Sequence, residues 1–243
     1  MKVRIVLVRP RNPLNIGAAA RGMANFGFDD LVVVKPFEPV WRETTSAVGA
    51  EKLVLAARAT ENLSDAVGDF QLVLGTTAVR GRDLQRPVVR STELGDFLKE
   101  RGADRVAILF GNEKSGLSNA YLEKCHAYLT VPTSAEQPSM NLSHAVTVVC
   151  YELSRVRADL GARGKTMAPA DAASVEQLVS HAMDLFKAAG YLTFIPARKK
   201  AEKIRRSFLN WRLGASDVRL LHGIFRYLGH KMAPPREKPR TDN

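Results

Sequence analysis

The 243-residue sequence is poor in cysteine, with only Cys125 and Cys150 and no CxxC spacing. Reduced thiols are the simplest interpretation, and nothing indicates an extracellular fold held by disulfides. No apolar run approaches the roughly 20 residues of a membrane span. The chain opens on the strand-like segment KVRIVLV, without the apolar core and cleavage site of a signal peptide. These absences predict a cytoplasmic protein that is not embedded in a membrane.

Several catalytic signatures are also missing. No GxGxxG follows a predicted strand, and no HExxH, GxSxG or cluster of cysteine and histidine occurs, so no metal site is predicted. The segment GNEKSGLS at 111–118 resembles a phosphate-binding loop, but Leu117 stands where the lysine is needed. A nucleoside triphosphatase is therefore not supported.

The net charge of +11 is concentrated in one part of the chain. Residues 1–154 contain 18 Lys and Arg against 17 Asp and Glu, whereas residues 155–243 contain 18 against 8. Basic segments gain affinity for nucleic acids by releasing condensed counterions. The excess charge favours a nucleic-acid partner over a merely solvated surface.

The first 150 residues alternate between short β-branched runs and helical patterns, which predicts an α/β domain with a mainly parallel sheet. The predicted strands are Val3–Val8, Leu31–Val34, Phe70–Leu74, Arg105–Phe110 and Tyr128–Val131. The predicted helices are Ile16–Phe26 with Asn15 as its cap, Thr44–Ala59, Glu93–Arg101, and a helix that starts at Ser139-Met140-Asn141.

Ligands of parallel sheets bind at the carboxyl ends of the strands. Four polar loops occupy that position in the predicted fold, at 15–21, 76–78, 111–116 and 132–141. In the first, Arg21 is expected beside an open helix N-terminus, which would be an anion site. In the last, Pro132 and Pro138 stiffen the loop before the helix.

The final third predicts a small helical module. Ser174 with Gln177 is expected to cap one helix, and Ser216 another. Between them lies the basic segment ARKKAEKIRRSF, the candidate nucleic-acid surface. We divide the chain into a catalytic domain at 1–156, a linker at 157–171, the basic module at 172–232, and a disordered tail at 233–243.

Three segments, RNPLNIGAAARGMANFG, ILFGNEKSGLSN and VPTSAEQPSMNLSHAVTVVCYEL, are similar to motifs of the TrmH/SpoU branch of the SPOUT RNA ribose methyltransferases. The C-terminal part, with LFKAAGYL, KIRRSF and LLHGIFRYL, most resembles the TrmJ-like subgroup. The resemblance implies an α/β fold with a C-terminal trefoil knot, at about 105–156. It also implies a homodimer that contacts through the knot region, and 2′-O-methylation of tRNA at nucleotide 32 of the anticodon loop.

The resemblance further implies that S-adenosylmethionine is the methyl donor, and it assigns residues to three roles. The implied cofactor-binding residues are Thr76, Thr77, Ala78, Gly111, Val131, Pro138, Ser139 and Met140. The implied catalytic residues are Arg21, Glu113, Ser139 and Asn141. The predicted RNA-binding residues are Asn15, Arg21, Arg198, Lys199, Lys200, Lys203, Arg205 and Arg206.

A ribose hydroxyl is a weak acid, so a methyltransferase must position it and accept its proton. Arg21 is expected to hold the neighbouring phosphate or to act as the base itself. Glu113 is expected to position Arg21, with capping of a loop as the alternative. Asn112 stands where TrmJ-like sequences can have Arg, which leaves the base preference open. Two other functions also stay open: methylation of rRNA, and RNA binding without catalysis.

Overall fold

The computed structural model of the chain describes residues 1–37, 41–78, 86–160, 169–192 and 197–232. Their strands are β1 Lys2–Val8, β2 Asp30–Val34, β3 Arg58–Thr60, β4 Leu72–Thr76, β5 Val88–Arg90, β6 Arg105–Phe110 and β7 Ala127–Thr130. Their helices are α1 Pro13–Asn25, α2 Glu51–Ala56, α3 Leu63–Val67, α4 Leu94–Arg101, α5 Asn119–Leu122, α6 Leu142–Leu160, α7 Ala172–Ala188, α8 Ala197–Asn210 and α9 Ala215–Met232. A short 3-10 turn, Ser91–Glu93, precedes α4.

The strands form one sheet in the order β3-β2-β1-β6-β4-β7-β5, and every pair of neighbours among them is parallel. The predicted α/β class with a mainly parallel sheet is therefore confirmed. Because the strands are parallel, all their carboxyl ends lie on one edge. The trefoil knot implied for 105–156 stays a prediction.

Both faces of the sheet are covered, and alternate residues of β1 show how. Ile5 and Leu7 pack into the core beneath α1, α4 and α6, whereas Val6 and Val8 pack into the core beneath α3 and α5. A strand buried on both faces is largely apolar, which explains the run Ile5–Val8 in β1, whereas the buried Arg4 of the same strand is paired with Asp30 and Asp69. The predicted strands are all present, with ends displaced by one or two residues. The short strands β3 and β5 were not predicted.

The helix predicted over Thr44–Ala59 is wrong at both ends, because α2 spans only Glu51–Ala56, and Arg58 and Ala59 already belong to β3. Gly49 has φ +79, a left-handed conformation that a helix cannot contain. Upstream, the hydroxyls of Thr44 and Ser46 lie 2.8 Å apart, and Ser46 Oγ donates to Leu14 O at 2.6 Å. The segment packs against α1 as a loop instead.

The predicted cap of α1 is also wrong. The N-cap is Asn12, whose Oδ1 accepts a hydrogen bond from Leu14 N at 2.9 Å. Pro13 occupies the first helical position, where its missing N–H is not needed. Asn15 therefore lies inside the first turn, and its side chain is left to make other contacts.

Two predicted caps in the C-terminal part differ as well. Asp171, not Ser174, caps α7, and its Oδ1 accepts from Ser174 N at 2.8 Å. Ser216 lies within α9, which begins at Ala215 and is closed by a hydrogen bond from Gly214 N to Asp217 Oδ2. In the first case a carboxylate makes the cap in place of a hydroxyl, and in the second Asp217 accepts a hydrogen bond from within the first turn of the helix.

The domain boundaries stay predictions. Helix α6 continues to Leu160, into the first residues of the predicted linker at 157–171. Residues 161–168 and the predicted disordered tail at 233–243 lie outside the described residues, as do Arg80 and Arg82 of the basic loop before β5.

The helices α7, α8 and α9 enclose a small core of their own. Its largest buried members include Leu178, Phe208 and Phe225. This helical module docks at the edge where the strands begin. Gln71 Nε2 donates to Pro169 O at 2.8 Å, while Gln71 Oε1 accepts from the amides of Asp104 and Arg105 at 2.9 and 3.0 Å.

Further contacts strengthen this junction. Ala172 N donates to Phe70 O at 2.6 Å, and Arg212 forms an ion pair with Glu100. None of the helices in the described ranges is long and apolar enough to span a membrane.

Candidate functional site

A cavity of about 360 Å³ lies at the carboxyl ends of β4, β6 and β7. The structure places along its wall every residue that the sequence assigned to cofactor binding: Thr76, Thr77, Ala78, Gly111, Val131, Pro138, Ser139 and Met140. Glu113 lines it too. The loops after the three strands thus meet around one space, as the parallel topology requires.

Two features of this wall come from backbone geometry. A Cβ on Gly111 would lie 1.9 Å from the carbonyl carbon of Gly116, so the loop can fold back only where the side chain is absent. Asn112 Oδ1 closes the same loop by accepting from the amides of Lys114 and Ser115 at 3.0 and 2.9 Å. The segment at 111–118, which resembles a phosphate-binding loop, therefore begins with a compact turn that is closed by the side chain of Asn112.

A line of hydrogen bonds beside the cavity joins the start of α6, the first turn of α1 and the loop at 111–116. Asn141 Nδ2 donates to Asn15 Oδ1 at 3.0 Å, and Asn15 Nδ2 donates to Glu113 Oε1 at 2.9 Å. Asn15, which the sequence assigned to RNA contact, thus sits between two residues assigned to catalysis. We call these three residues the asparagine bridge.

Asn141 also begins α6. Its Oδ1 accepts from Ser143 N at 2.9 Å and from Ser143 Oγ at 2.7 Å, as expected of a residue before an apolar helix. One side chain therefore caps a helix with its oxygen and holds the bridge with its nitrogen. Hydrogen bonds at both Oδ1 and Nδ2 therefore fix the side-chain rotamer of Asn141.

Glu113 sits at the start of α1. Its Oε2 accepts from Arg11 N at 2.9 Å, and its Oε1 accepts from Asn12 N at 3.1 Å as well as from Asn15. Burial alone would raise the pKa of Glu113. The hydrogen bonds from Asn15, its own amide, Arg11 and Asn12 outweigh burial and hold the pKa of Glu113 below its ordinary value. The side chain is an anion at neutral pH.

The open anion site expected at this helix start is therefore filled by the protein's own carboxylate. Glu113 accepts hydrogen bonds from backbone amides and from Asn15 rather than from Arg21. These contacts favour the alternative that Glu113 caps a loop over the expectation that it positions Arg21.

Arg21 lies further along α1, on the same exposed face as Leu14. It is not among the residues that line the cavity. Within the described part of the chain its guanidinium makes no hydrogen bond or ion pair. From Asn15 it is six residues away, roughly 9 Å along the helix axis. A single chain thus brings Glu113 and Ser139 to the cavity, ties Asn141 to Glu113 through Asn15, and leaves Arg21 out of both arrangements.

The predicted RNA-binding cations of α8 lie elsewhere. Helix α8 packs beside the strand starts, with Phe208 and Leu209 near His126 at the foot of β7. Arg198 pairs with Glu202, Lys200 Nζ donates to Tyr191 O at 2.8 Å, and Arg205 pairs with Glu176. The structure does not bring these residues to the cavity.

Lys199 and Lys203 differ from the other cations of α8. They lie one turn apart, both are exposed, and within the described residues neither forms an ion pair. Arg206 is half-buried. The cations available on α8 are thus fewer than the sequence suggests.

The cysteines and the buried histidine offer no nucleophile to the cavity. Burial raises the pKa of Cys125 and of Cys150 to about 12, so both stay protonated thiols. His126 is buried and accepts a hydrogen bond from Val73 N at 3.1 Å. In the part of the chain that the structure describes, no three His, Cys, Asp or Glu side chains cluster as metal ligands would.

The cavity has the properties of a site for a small organic molecule. Its walls include Leu117, Leu129 and Leu142, and its polar side chains are mostly hydroxyls, together with Asn112, Glu113 and Lys114 on one loop. Such a site binds by shape and a few directed hydrogen bonds. The asparagine bridge fixes the elements beside the cavity relative to one another through hydrogen bonds. A site that holds two molecules in fixed positions suits the direct transfer of a group from one to the other.

The comparison with known proteins agrees with this geometry. The model of the SpoU rRNA Methylase family matches residues 2–151. A "tRNA (cytidine/uridine-2'-O-)-methyltransferase TrmJ" of Sodalis glossinidius is 30% identical over 98% of this chain and 96% of that protein. A "tRNA (cytidine-2'-O-)-methyltransferase TrmJ" of Methanocaldococcus jannaschii is 36% identical over 62% of this chain and 66% of its own.

Among solved structures, TrmJ from Z. mobilis ZM4 superimposes with a TM-score of 0.80 at 31% identity. The match covers 94% of this chain and 100% of that one, so it includes the helical module. The family model and these relatives identify the chain as a methyltransferase. The chain belongs to the SpoU rRNA Methylase family.

Proposed function

We propose that the protein uses S-adenosylmethionine to methylate the 2′-hydroxyl of a ribose in tRNA, at nucleotide 32 of the anticodon loop. The observation that carries the proposal is similarity over nearly the whole chain, module included, to proteins named as tRNA 2′-O-methyltransferases. The cavity and the asparagine bridge supply the matching geometry in the catalytic half.

The residues of the cavity fit the donor. Thr76-Thr77-Ala78, Gly111 and Val131 would hold its adenine against backbone, and Pro138-Ser139-Met140 would hold its methionine part. S-adenosylmethionine supplies an electrophilic methyl group on a positively charged sulfur. Around such a cation, hydroxyls and carbonyls are adequate partners, and an enclosed wall keeps water from the methyl group.

The chain's own residues would prepare the hydroxyl. Ser139 Oγ and the rim near Asn141 would orient it, and the anionic Glu113 would keep Asn15 and Asn141 in place. Arg21 would bind the phosphate next to the ribose. Its positive charge would lower the pKa of the hydroxyl, whose proton would pass to that phosphate as the oxygen attacks the methyl group and the neutral thioether of the donor leaves.

We also propose a homodimer that contacts through α1 and α6. These helices pack together, and their outward side exposes Leu14 and Tyr151, with exposed fractions of 50% and 48%. Phe26 contacts Tyr151 edge-on at 5.7 Å between ring centroids. Since Arg21 lies on the same face as Leu14, dimerisation would bring it to the cavity of the partner.

Mixing of inactive subunits tests this arrangement. Arg21→Ala is expected to abolish nearly all turnover while donor binding by calorimetry persists. Since Arg21 is exposed and unpaired within the described residues, its replacement should change stability by no more than about 0.5 kcal/mol. Asn141→Ala should also be inactive.

A co-refolded mixture of the two variants should recover part of the activity, because one site of each mixed dimer would have Arg21 and Asn141 intact. A mixture as inactive as its components would contradict action across subunits. Mapping 2′-O-methyl groups in tRNA and rRNA from a deletion strain tests the substrate, and a missing methyl in rRNA alone would overturn the tRNA assignment.

A further inference from the structure

Two cations stand side by side at the edge of the sheet, next to the strands that form the cavity. Arg9 directly follows β1 and Lys35 directly follows β2. Val8 pairs with Val34 in the parallel register, so the next residues of both strands are neighbours. Both are exposed, and within the described ranges neither side chain makes a hydrogen bond or ion pair. Two like charges are thus neighbours, and no acidic side chain among the described residues pairs with either.

The backbone enforces this placement. Arg9 has φ +53 and Lys35 has φ +49, in the left-handed region that side chains with a Cβ disfavour. Arg9 N donates to Val34 O at 2.7 Å, and Lys35 N donates to Thr60 O at 2.9 Å, which holds both residues in that conformation. Strain of this kind is concentrated where a protein must aim particular side chains.

An aromatic ring lies beside the two cations. Phe37 is 60% exposed, and its amide donates to Pro10 O at 3.1 Å, which ties the loop after β2 to the loop after β1. The guanidinium of Arg11 lies 4.9 Å from the centroid of this ring. An exposed phenylalanine with cations around it is a platform on which a nucleic-acid base can stack.

This surface is connected to the cavity. Glu113, which lines the cavity, accepts hydrogen bonds from the amides of Arg11 and Asn12. In the sheet, β1 and β2 come directly after β6, which contributes the cavity loop at 111–116. The surface and the cavity therefore form one continuous edge.

We propose that Arg9, Arg11, Lys35 and Phe37 form a grip for single-stranded RNA, which holds the nucleotides flanking the methylated ribose. The cations bind their phosphates, and one unpaired base stacks on Phe37. The proposal rests on the proposed function, because a hydroxyl in a loop presents unpaired bases on both sides. Part of the RNA-binding surface would then lie in the catalytic domain, although the nearly balanced charge of residues 1–154 gave no indication of such a surface.

The charge of the grip is tested by a double variant, Arg9→Gln with Lys35→Gln. Binding of an unmodified tRNA transcript is measured by fluorescence anisotropy at several KCl concentrations. The slope of log affinity against log salt should fall by roughly 0.7 to 0.9 for each phosphate that is no longer neutralised. The control is Arg58→Gln with Arg105→Gln, which removes the same charge from the exposed first residues of β3 and β6. Equal slopes in the two double variants would overturn the proposal.

The stacking platform is tested by a series at Phe37. Phe37→Ala should weaken tRNA binding about 5- to 150-fold, the effect of removing one stacked base, whereas Phe37→Trp should bind as tightly as the parent. Donor binding by calorimetry should be unchanged in both, which shows that the cavity is intact. Unaltered tRNA affinity in Phe37→Ala would refute the platform. So would a smaller oligomer in sedimentation, which would make Phe37 a subunit contact.

The parent protein separates this inference from the proposed function. If the parent methylates tRNA and the variants bind tRNA normally, only the grip is wrong. If the parent neither binds nor methylates tRNA, the proposed function itself is wrong.

Discussion

Asn141 and Asn15, which are 126 positions apart in the chain, are joined by a hydrogen bond of 3.0 Å from Nδ2 to Oδ1. This bond connects the start of α6 to the first turn of α1 at the rim of the cavity. Because Asn141 also caps α6 through Oδ1, its two functions can be separated by mutation.

Asn141→Asp should keep the cap and lose the bridge. The carboxylate still accepts from Ser143 N, but it has no N–H for Asn15. We expect a large loss of turnover with little change in thermal stability. Asn141→Ala loses both functions and should in addition cost about 1 kcal/mol, as removal of a helix cap does. Equal stability of the two variants would contradict the capping function, and full activity of Asn141→Asp would contradict the bridge.

Gly111→Ala should abolish donor binding, because the added Cβ would meet the backbone of Gly116 and force the loop open. Isothermal calorimetry with S-adenosylmethionine measures this directly. Gly223→Ala is the matched control, since a Cβ there would contact nothing within 4 Å. In the middle of α9 it should stabilise the protein by up to about 1 kcal/mol. Normal donor affinity in Gly111→Ala would show that the loop is more adaptable than its geometry indicates.

His126 should make the protein acid-sensitive. Burial, assisted by the nearby Arg86 and Arg101, lowers the pKa of His126 from 6.5 to about 4. At a pH between about 4 and 6.5, His126 is protonated in the unfolded chain but neutral in the folded chain. The free energy of unfolding therefore falls as the pH decreases through this range. The full effect is about 3 kcal/mol. In urea unfolding at pH 7, 5.5 and 4.5, His126→Gln should show a flatter pH dependence than the parent. The exposed His144, replaced in the same way, should behave like the parent.

Gln71→Ala should weaken the junction between the sheet and the helical module. It leaves Pro169 O and the amides of Asp104 and Arg105 without their partner, and each buried unsatisfied group costs about 1–3 kcal/mol. Urea unfolding followed by far-UV circular dichroism measures the loss. Gln137→Ala, on an exposed loop, is the control and should change stability little. An unaffected Gln71→Ala would mean that water replaces the side chain at the junction.

Most of the sheet could be predicted because its strands are buried on both faces. Such strands have nearly continuous apolar runs, as in Ile5–Val8 of β1 and Val106–Phe110 of β6. The strands β3 and β5 have only three residues each, including Arg58, Thr60 and Arg90, and too few apolar positions to form a pattern. Their pairing depends on the neighbouring strand rather than on their own composition.

The helix starts show the limits of local signals. Asn12 and Asn15 both precede the same alanine-rich run, and Pro13 at the first helical position was the signal that distinguishes them. For the loop before α2, the only local signal against the helical pattern in the described residues was Gly49, which has φ +79. The contacts of Thr44 and Ser46 with α1, which hold this segment as a loop, leave no pattern in the sequence.

The candidate site was predictable as a set of loops but not as a network. Parallel topology places the loops at 76–78, 111–116 and 132–141 together, and they line one cavity. The contact of Asn15 with Asn141 depends on how α1 packs against α6. No spacing in the sequence records that packing. The same holds for Glu113, whose partners are backbone amides.

The carboxylate at the start of α1 bears on competition in the cell. A bare helix start attracts any small anion, and inorganic phosphate and nucleotides are abundant competitors there. With Glu113 already seated on the amides of Arg11 and Asn12, that attraction is cancelled. A long polyanion can still bind, because it contacts several separated cations at once. The rim of the cavity should therefore favour long anions over short anions.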